Sequence, residues 1–158
     1  MPLSTIDNTG LSQSQILSAI NIPTGSVVQV VQATTTSGPS TTSTTFVTSS
    51  ISASITPQFS TSKILVSFMF PGYSAASGTE AFYTIYRSGT ELSGSGGGFS
   101  TIYGGSSSVA AMCNILYLDN PATTSSTTYT LYFKSSNGGT VYINSDAGLF
   151  SMILQEIR

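Results

Sequence analysis

The chain has 158 residues and a formal net charge of −2, which is enough length for one domain with a single core. Charged residues make up 6%, against about a quarter in ordinary soluble domains, and this excludes a typical cytosolic enzyme surface. Serine and threonine supply roughly a third of the residues, so hydroxyl groups take the place of charges on the surface. So little charge gives weak protection against association, and we expect an oligomer. Nucleic-acid binding is disfavoured because phosphates need clustered cations, and the four here are scattered: Lys63, Arg87, Lys134 and Arg158.

Residues 1–25 form a segment of their own with the pattern of a short helix. "LSQSQILSAI" repeats apolar residues at helical spacing, and Pro23 with Gly25 stops the pattern. A helix of about two turns is marginal alone, so we expect it to lie either on a partner, as an anchor, or on its own domain. The candidate anchor residues are Leu11, Ile16, Leu17 and Ile20.

We expect neither a signal peptide nor a membrane-spanning helix. "MPLSTIDNTG" has no basic region and no apolar region of a signal peptide, so synthesis in the cytoplasm is expected. The strongest apolar run, Ile64–Phe70, is far shorter than the ~20 residues of a membrane-spanning helix.

After Gly25 the apolar period changes to two, which is the period of a β-strand. In "SISASIT" the apolar residues Ile51, Ala53 and Ile55 alternate with hydroxyl residues, and "SKILVSFMF" alternates in the same way before Pro71–Gly72, which is expected to turn the chain. The inward face of "EAFYTIYR" stays open, because both of its faces carry large apolar side chains. Strands are predicted over Ser26–Ala33, Thr44–Thr48, Ser50–Thr56, Ser62–Phe70 and Glu80–Arg87.

The second half of the chain continues the β pattern. The glycine-rich stretch Ser93–Ser108 indicates a flexible loop around one short strand, and Asn137–Gly138 is typical of a hairpin. Further strands are predicted over Ser108–Asp119, Thr127–Ser135, Thr140–Asn144 and Leu149–Ile157. Eight or nine strands about ten residues apart predict an all-β fold, an antiparallel β-sandwich or jelly roll over residues 26–158.

Three strands are apolar on both faces: Val27–Val31, Val109–Leu118 and Leu149–Ile157. One face of an antiparallel sandwich strand normally meets water, so these strands pack against another subunit or lie under the N-terminal helix. The low charge favours the subunit interface. The candidate interface residues are Val27, Val31, Leu149, Ile153 and Ile157.

The residues of common enzymes are missing or dispersed. The chain has no His, which excludes Ser-His-Asp triads and His-ligated metals. The six acids do not cluster, and a glycosidase pair would require Glu80 and Glu91 to meet across a hairpin. Cys113, the single cysteine, lies in an apolar run and is expected to be a buried, inert thiol. We therefore expect no enzyme activity, no metal and no cofactor.

Tyrosine is the residue type best suited to recognition in this chain. A ring with a hydroxyl group can stack on a sugar or contact a protein, although packing in the core or across strands is the safer interpretation of such residues. The candidate recognition residues are Tyr73, Tyr103, Tyr132 and Tyr142.

Six segments together resemble a module of marine bacteriophages and cyanophages: "VVQVVQATTT", "STTSTTFVTSSISASITP", "TSKILV", "YTIYRSGTEL", "YLDNPATTSSTTYTLYFKSSNGGTVYIN" and "SMILQEI". The resemblance covers about Val27–Ile157 and rests on the order of these segments. Ile85-Tyr86-Arg87-Ser88 departs from the family's Ile-Val-Arg-Gly, and Ser93–Ser108 is a variable insert, so ligand specificity does not carry over.

The resemblance implies a virion surface protein, either a knob-like capsid decoration or a tail-fibre domain, β-rich and trimeric. Its partners would be further copies of itself and other virion proteins, such as the major capsid protein or the tail. The alternative is a receptor-binding module that recognises a host surface glycan.

Overall fold

The computed structural model describes residues 22–143 and 148–158, and within them the chain is built from strands without a helix. The predicted N-terminal helix and its anchor residues lie outside the described residues. The strands are β1 Val27–Thr35, β2 Ser40–Thr41, β3 Val47–Ile55, β4 Lys63–Ser74, β5 Thr79–Arg87, β6 Thr90–Glu91, β7 Ser100–Gly104, β8 Val109–Asp119, β9 Thr127–Ser135, β10 Val141–Ile143 and β11 Phe150–Ile157.

The strands form two antiparallel sheets, which confirms the predicted sandwich. In sheet A, β4 is central: β8 pairs along one edge, and β11 and then β10 pair along the other, with β1 beyond β11 and β2 beyond β10. In sheet B the order is β3-β9-β5, with β6 and β7 on the far edge of β5. The sequence predicted fewer strands because β2 and β6 have two residues each, too short for a period to show.

The core lies between the sheets, on the faces that the alternation predicted. Ile51, Ala53 and Ile55 of β3 are buried, as are the alternate residues of β4 from Ile64 to Phe70. The sequence left open which face of β5 points inward. Tyr83 and Ile85 do, since they are fully buried and continue the inward row that begins at Ala81. Phe82 and Tyr86 therefore lie on the outer face of sheet B.

The predicted turn at Pro71–Gly72 is wrong, because β4 continues through both residues to Ser74. Pro71 sits where the partner strand changes: β11 pairs as far as Met69, and β10 begins at Gly72. A proline has no N–H to donate, and on this edge of β4 neither β11 nor β10 pairs with Pro71. On the other edge, Pro71 lies opposite Met112 of β8 without a register break.

Two other turn predictions also differ from the structure. The predicted strands Thr44–Thr48 and Ser50–Thr56 form one strand, β3, interrupted by a bulge at residues 49–51 where Ser50 has a φ of 62°. The Ser49 hydroxyl donates to the Leu131 carbonyl at 2.6 Å and holds the bulge on β9. Asn137–Gly138 does not close a hairpin, because β9 belongs to sheet B and β10 to sheet A; it carries the chain across the sandwich.

Candidate functional site: the two outer faces of the sandwich

The outer face of sheet A is apolar over much of its area. Met69, Met112 and Leu116 are 59%, 62% and 63% exposed, values typical of polar residues. They lie in cross-strand rows, with Leu118 opposite Leu65, Met112 opposite Pro71, and Ser67 between Leu116 and Ile153. We call this surface the apolar face; its members are Val30, Leu65, Met69, Pro71, Met112, Leu116, Leu118, Leu149 and Ile153.

A groove and a near absence of charge mark the apolar face. The groove holds about 420 Å³ and lies at the junction near Pro71, where Met69, Met112, Leu149 and Ile153 line it. Among the outward residues of β1, β4, β8 and β11, Lys63 at one end of β4 is the charged one. Monomers rarely expose contiguous apolar patches larger than a few hundred Å², and larger patches mark interaction sites.

Four of the five predicted interface residues lie on the outer side of sheet A. Leu149 is 73% and Val27 53% exposed, and Ile153 and Ile157 alternate outward along β11. Val31 instead packs against the core, because a register irregularity between Val27 and Gln29 changes which residues of β1 face inward. The sequence predicted that β8 is apolar on both faces, but Met69, Met112 and Leu116 were not among the predicted interface residues. They could have been found, because each is an apolar residue at an outward position of an alternating strand, where a polar residue is expected.

The outer face of sheet B carries aromatic rings around one cation. Tyr86 and Tyr132 stack with centroids 3.9 Å apart, and Phe46 meets Tyr86 edge-on at 6.4 Å. The Lys134 ammonium lies 4.7 Å from the Phe46 centroid and 5.2 Å from that of Phe82, within the range of cation–π attraction. We call these five residues the aromatic cluster; all are partly exposed.

Glu91 holds the loop beside the aromatic cluster. Its carboxylate accepts hydrogen bonds from the Thr84 hydroxyl at 2.6 Å, from the Ser93 hydroxyl and N–H, and from the Gly94 N–H. Burial acts to raise the pKa of Glu91, but these hydrogen bonds outweigh it and hold the pKa below its ordinary value. The pKa of Tyr86 is raised by burial, then by the Glu91 charge and by Tyr132. At neutral pH the cluster therefore presents the neutral phenol of Tyr86 beside the Glu91 carboxylate.

The four predicted recognition tyrosines do not form one site. Tyr132 belongs to the aromatic cluster on sheet B, and Tyr103, 59% exposed on β7, lies opposite Glu80 on the same sheet. Tyr73 and Tyr142 face each other on sheet A with centroids 5.5 Å apart. Tyr86 and Phe46 were missed, because nothing in the sequence shows which rings meet across strands.

An ion pair between the buried Asp119 and the partly exposed Arg87 joins the two sheets at the end of β8. Arg87 Nη1 donates to both carboxylate oxygens of Asp119 at 2.8 and 2.9 Å, and the Tyr129 hydroxyl donates to Asp119 Oδ2 at 2.6 Å. Asp119 is 4% exposed. Burial, and then the hydrogen bond to Asp119, raise the pKa of Tyr129. This arrangement satisfies its own polar groups and has the character of a structural contact.

A second carboxylate, Glu156, is fully buried between β1 and the loop that follows β3. Its Oε1 accepts from the backbone N–H groups of Gln58 and Phe59 at 2.8 and 3.2 Å, and its Oε2 accepts from the Gln29 side chain at 2.6 Å. Each of these three donors is a neutral group. Glu156 therefore fastens β11 to β1 and to the loop leading into β4.

The remaining chemistry-bearing groups are dispersed. Glu91 holds its own loop, while Glu80 lies opposite Tyr103. Cys113 is buried, as predicted, and burial raises the pKa of its thiol. Within residues 22–143 and 148–158 no group of three or more Cys, Asp or Glu could hold a metal ion. In the same ranges no helix is long and apolar enough to cross a membrane.

No family model matches the chain, and no curated protein matches it. Among solved structures it is similar to the infectious bursal disease virus VP2 subviral particle, with a TM-score of 0.45 and 14% identity, over 100% of this chain and 37% of that one. It is also similar to the infectious bursal disease virus Gt strain, with a TM-score of 0.42 and 15% identity, over 84% of this chain and 38% of that one. The chain thus spans less than two fifths of either structure, and both come from one virus.

Proposed function

We propose that this chain is a non-enzymatic structural protein of a virus particle, which assembles through the apolar face of sheet A. The observation that carries the proposal is the exposure of Met69, Met112 and Leu116 on neighbouring strands with one charged residue at the margin. Burying such surface is the main driving force of association. A solvent-exposed sheet face of an isolated monomer would carry polar residues instead.

The size of the apolar face suits a stable contact. Four strands spaced by about 4.8 Å, over about eight residues of 3.3 Å each, give roughly 500 Å² of projected sheet. The accessible area of the side chains exceeds this projection, and stable interfaces use about 800 Å² from each partner. The face therefore approaches the area of a specific interface.

The ordered resemblance to marine phage modules supports a more specific proposal. The protein would decorate the surface of a phage virion as a knob-like homo-oligomer, a trimer by the resemblance, bound to the major capsid protein or the tail. The segments that carry the resemblance fall mainly on strands, including β1, β3, β9 and β11, so the resemblance concerns the strands of the sandwich rather than a binding site.

Sedimentation at micromolar concentration tests assembly through the apolar face. The wild-type chain is expected to sediment as a multiple of 16.4 kDa, and Met69→Asp as a smaller species, because a carboxylate in the apolar face would be buried without a partner. Ser52→Asp is the matched control, since Ser52 is an exposed strand residue on sheet B. A monomeric wild-type chain, or equal assembly of all three proteins, would contradict the proposal.

A second candidate function is recognition of a host surface glycan by the aromatic cluster. The stacked pair Tyr86–Tyr132 favours it, because partly exposed rings offer a flat apolar surface with hydroxyl groups at the edge, and sugars stack on such surfaces.

If the aromatic cluster binds glycan, substitutions on the outer face of sheet B should weaken glycan binding and those on sheet A should not. On an array of host-envelope glycans, Tyr132→Ala is expected to weaken binding about tenfold, because it removes half of the stacked pair. Tyr73→Ala, an equal truncation on sheet A, should bind like the wild type. Failure of the wild-type chain to bind, or equal losses in both variants, would remove this candidate.

A further inference from the structure

Strand β8 is an edge strand, and none of the usual edge protection is found for it among residues 22–143 and 148–158. It pairs with β4 over eleven consecutive residues without a register break, and no described residue hydrogen-bonds to the backbone of its other edge. Natural sheets protect such edges with bulges, prolines, lysines or short strands. β1 and β3 each have a register irregularity and β6 has two residues, whereas β8 has neither proline nor any charge before Asp119.

The sequence of β8 is complementary to itself in an antiparallel arrangement. If two copies pair with Asn114 opposite Asn114, then Met112 lies opposite Leu116, and Ala110 lies opposite Leu118. Each exposed apolar residue of the outward row thus meets an apolar residue, and the one amide of the row meets an amide, with which it can exchange hydrogen bonds. The row brings no charges together.

We propose that two copies of this chain pair through the free edges of β8, antiparallel about a two-fold axis at Asn114. Pairing in this way satisfies backbone N–H and C=O groups along both edges and joins two A sheets into one. It rests on the proposed function, because it names the first partner in the assembly: a second copy. The apolar faces of the two copies then become one continuous surface, with Met112 and Leu116 of both chains at its centre.

The proposal differs from the trimer implied by the resemblance. A two-fold contact is isologous, so the same residues contribute from both chains. It produces dimers or assemblies built from dimers, whereas a trimer needs a different contact. The two arrangements can be distinguished by introducing one cysteine into β8 and testing whether two copies become covalently linked.

Disulfide trapping tests the register. Asn114→Cys is expected to form a covalent dimer under mild oxidation, because opposite residues have Cβ atoms about 4.5–5.5 Å apart, close to the range for a disulfide. Ala110→Cys alone should not, since Ala110 lies opposite Leu118 and roughly 26 Å along the strand from its own copy. The double variant Ala110→Cys with Leu118→Cys should form the dimer again. Wild-type protein, with its buried Cys113, controls for the native thiol.

A charge variant gives an independent readout. Asn114→Lys is expected to weaken dimerisation at least tenfold in sedimentation, because it places two ammonium groups opposite each other. Ser52→Lys should leave it unchanged, and circular dichroism checks that each variant is folded. If the wild-type chain assembles but Asn114→Cys gives no covalent dimer, or Ala110→Cys alone gives as much, β8 pairing is overturned and the proposed function stands. If the wild-type chain remains monomeric, both fail.

Discussion

Replacing Asp119 with Ala is expected to lower the free energy of unfolding by about 3 kcal/mol, the lower part of the range for breaking a buried ion pair. The variant leaves the Arg87 guanidinium and the Tyr129 hydroxyl without their shared acceptor. The Arg87 side chain is 29% exposed, so water can still solvate part of the unpaired guanidinium. For this reason we expect the lower part of the range. The loss also removes a polar contact between the two sheets.

Urea unfolding followed by circular dichroism measures this change. Tyr129→Phe is the matched control, because it removes one hydrogen bond and keeps the ion pair; about 1 kcal/mol is expected for it. A loss below 1 kcal/mol in Asp119→Ala, or the same loss in both variants, would show that the ion pair contributes little.

Replacing Glu156 with Ala is expected to cost at least roughly 2 kcal/mol. The backbone N–H groups of Gln58 and Phe59 lose their acceptor, and a buried donor left unpaired costs about 1–3 kcal/mol. The Gln29 amide keeps a second acceptor, the Thr56 carbonyl at 2.7 Å, so it adds less. The methylene groups removed from a fully buried side chain add to the loss.

Thermal and urea unfolding of Glu156→Ala and Glu80→Ala provide the comparison. Glu80 lies on the outer face of sheet B and is partly exposed, so its replacement should change stability by less than about 0.5 kcal/mol. Similar stabilities of the two variants would mean that the Gln58 and Phe59 amides find other acceptors.

The inward faces of β3 and β4 could be read from the sequence, whereas the inward face of β5 and the turn expected at Pro71–Gly72 could not. Alternation at Ile51, Ala53 and Ile55 needs local information only, because a strand has a period of two. Pro71 was interpreted as part of a turn on the basis of its type. Its true place depends on where β11 ends and β10 begins, strands some seventy residues later in the chain.

The candidate surfaces were also only partly predictable from the sequence. From low charge and the two-sided apolarity of Val109–Leu118 we expected this strand to pack against another subunit or to lie under the N-terminal helix. In the structure its outward apolar residues are exposed on sheet A. The aromatic cluster was not predictable beyond Tyr132, because Phe46 precedes β3, Tyr86 lies on β5 and Lys134 lies on β9. The ion pair of Arg87 with Asp119 likewise depends on the packing of two sheets.

The continuity of β4 past Pro71 has a consequence for how the molecule opens. On one edge β4 keeps a single partner, β8, over eleven residues, while on the other its partners change from β11 to β10 at Pro71. On that second edge no ladder between described residues crosses the junction, so we expect β1 with β11 and β2 with β10 to open locally as two units, each without the other. The groove beside Pro71 would then be the boundary between the two units.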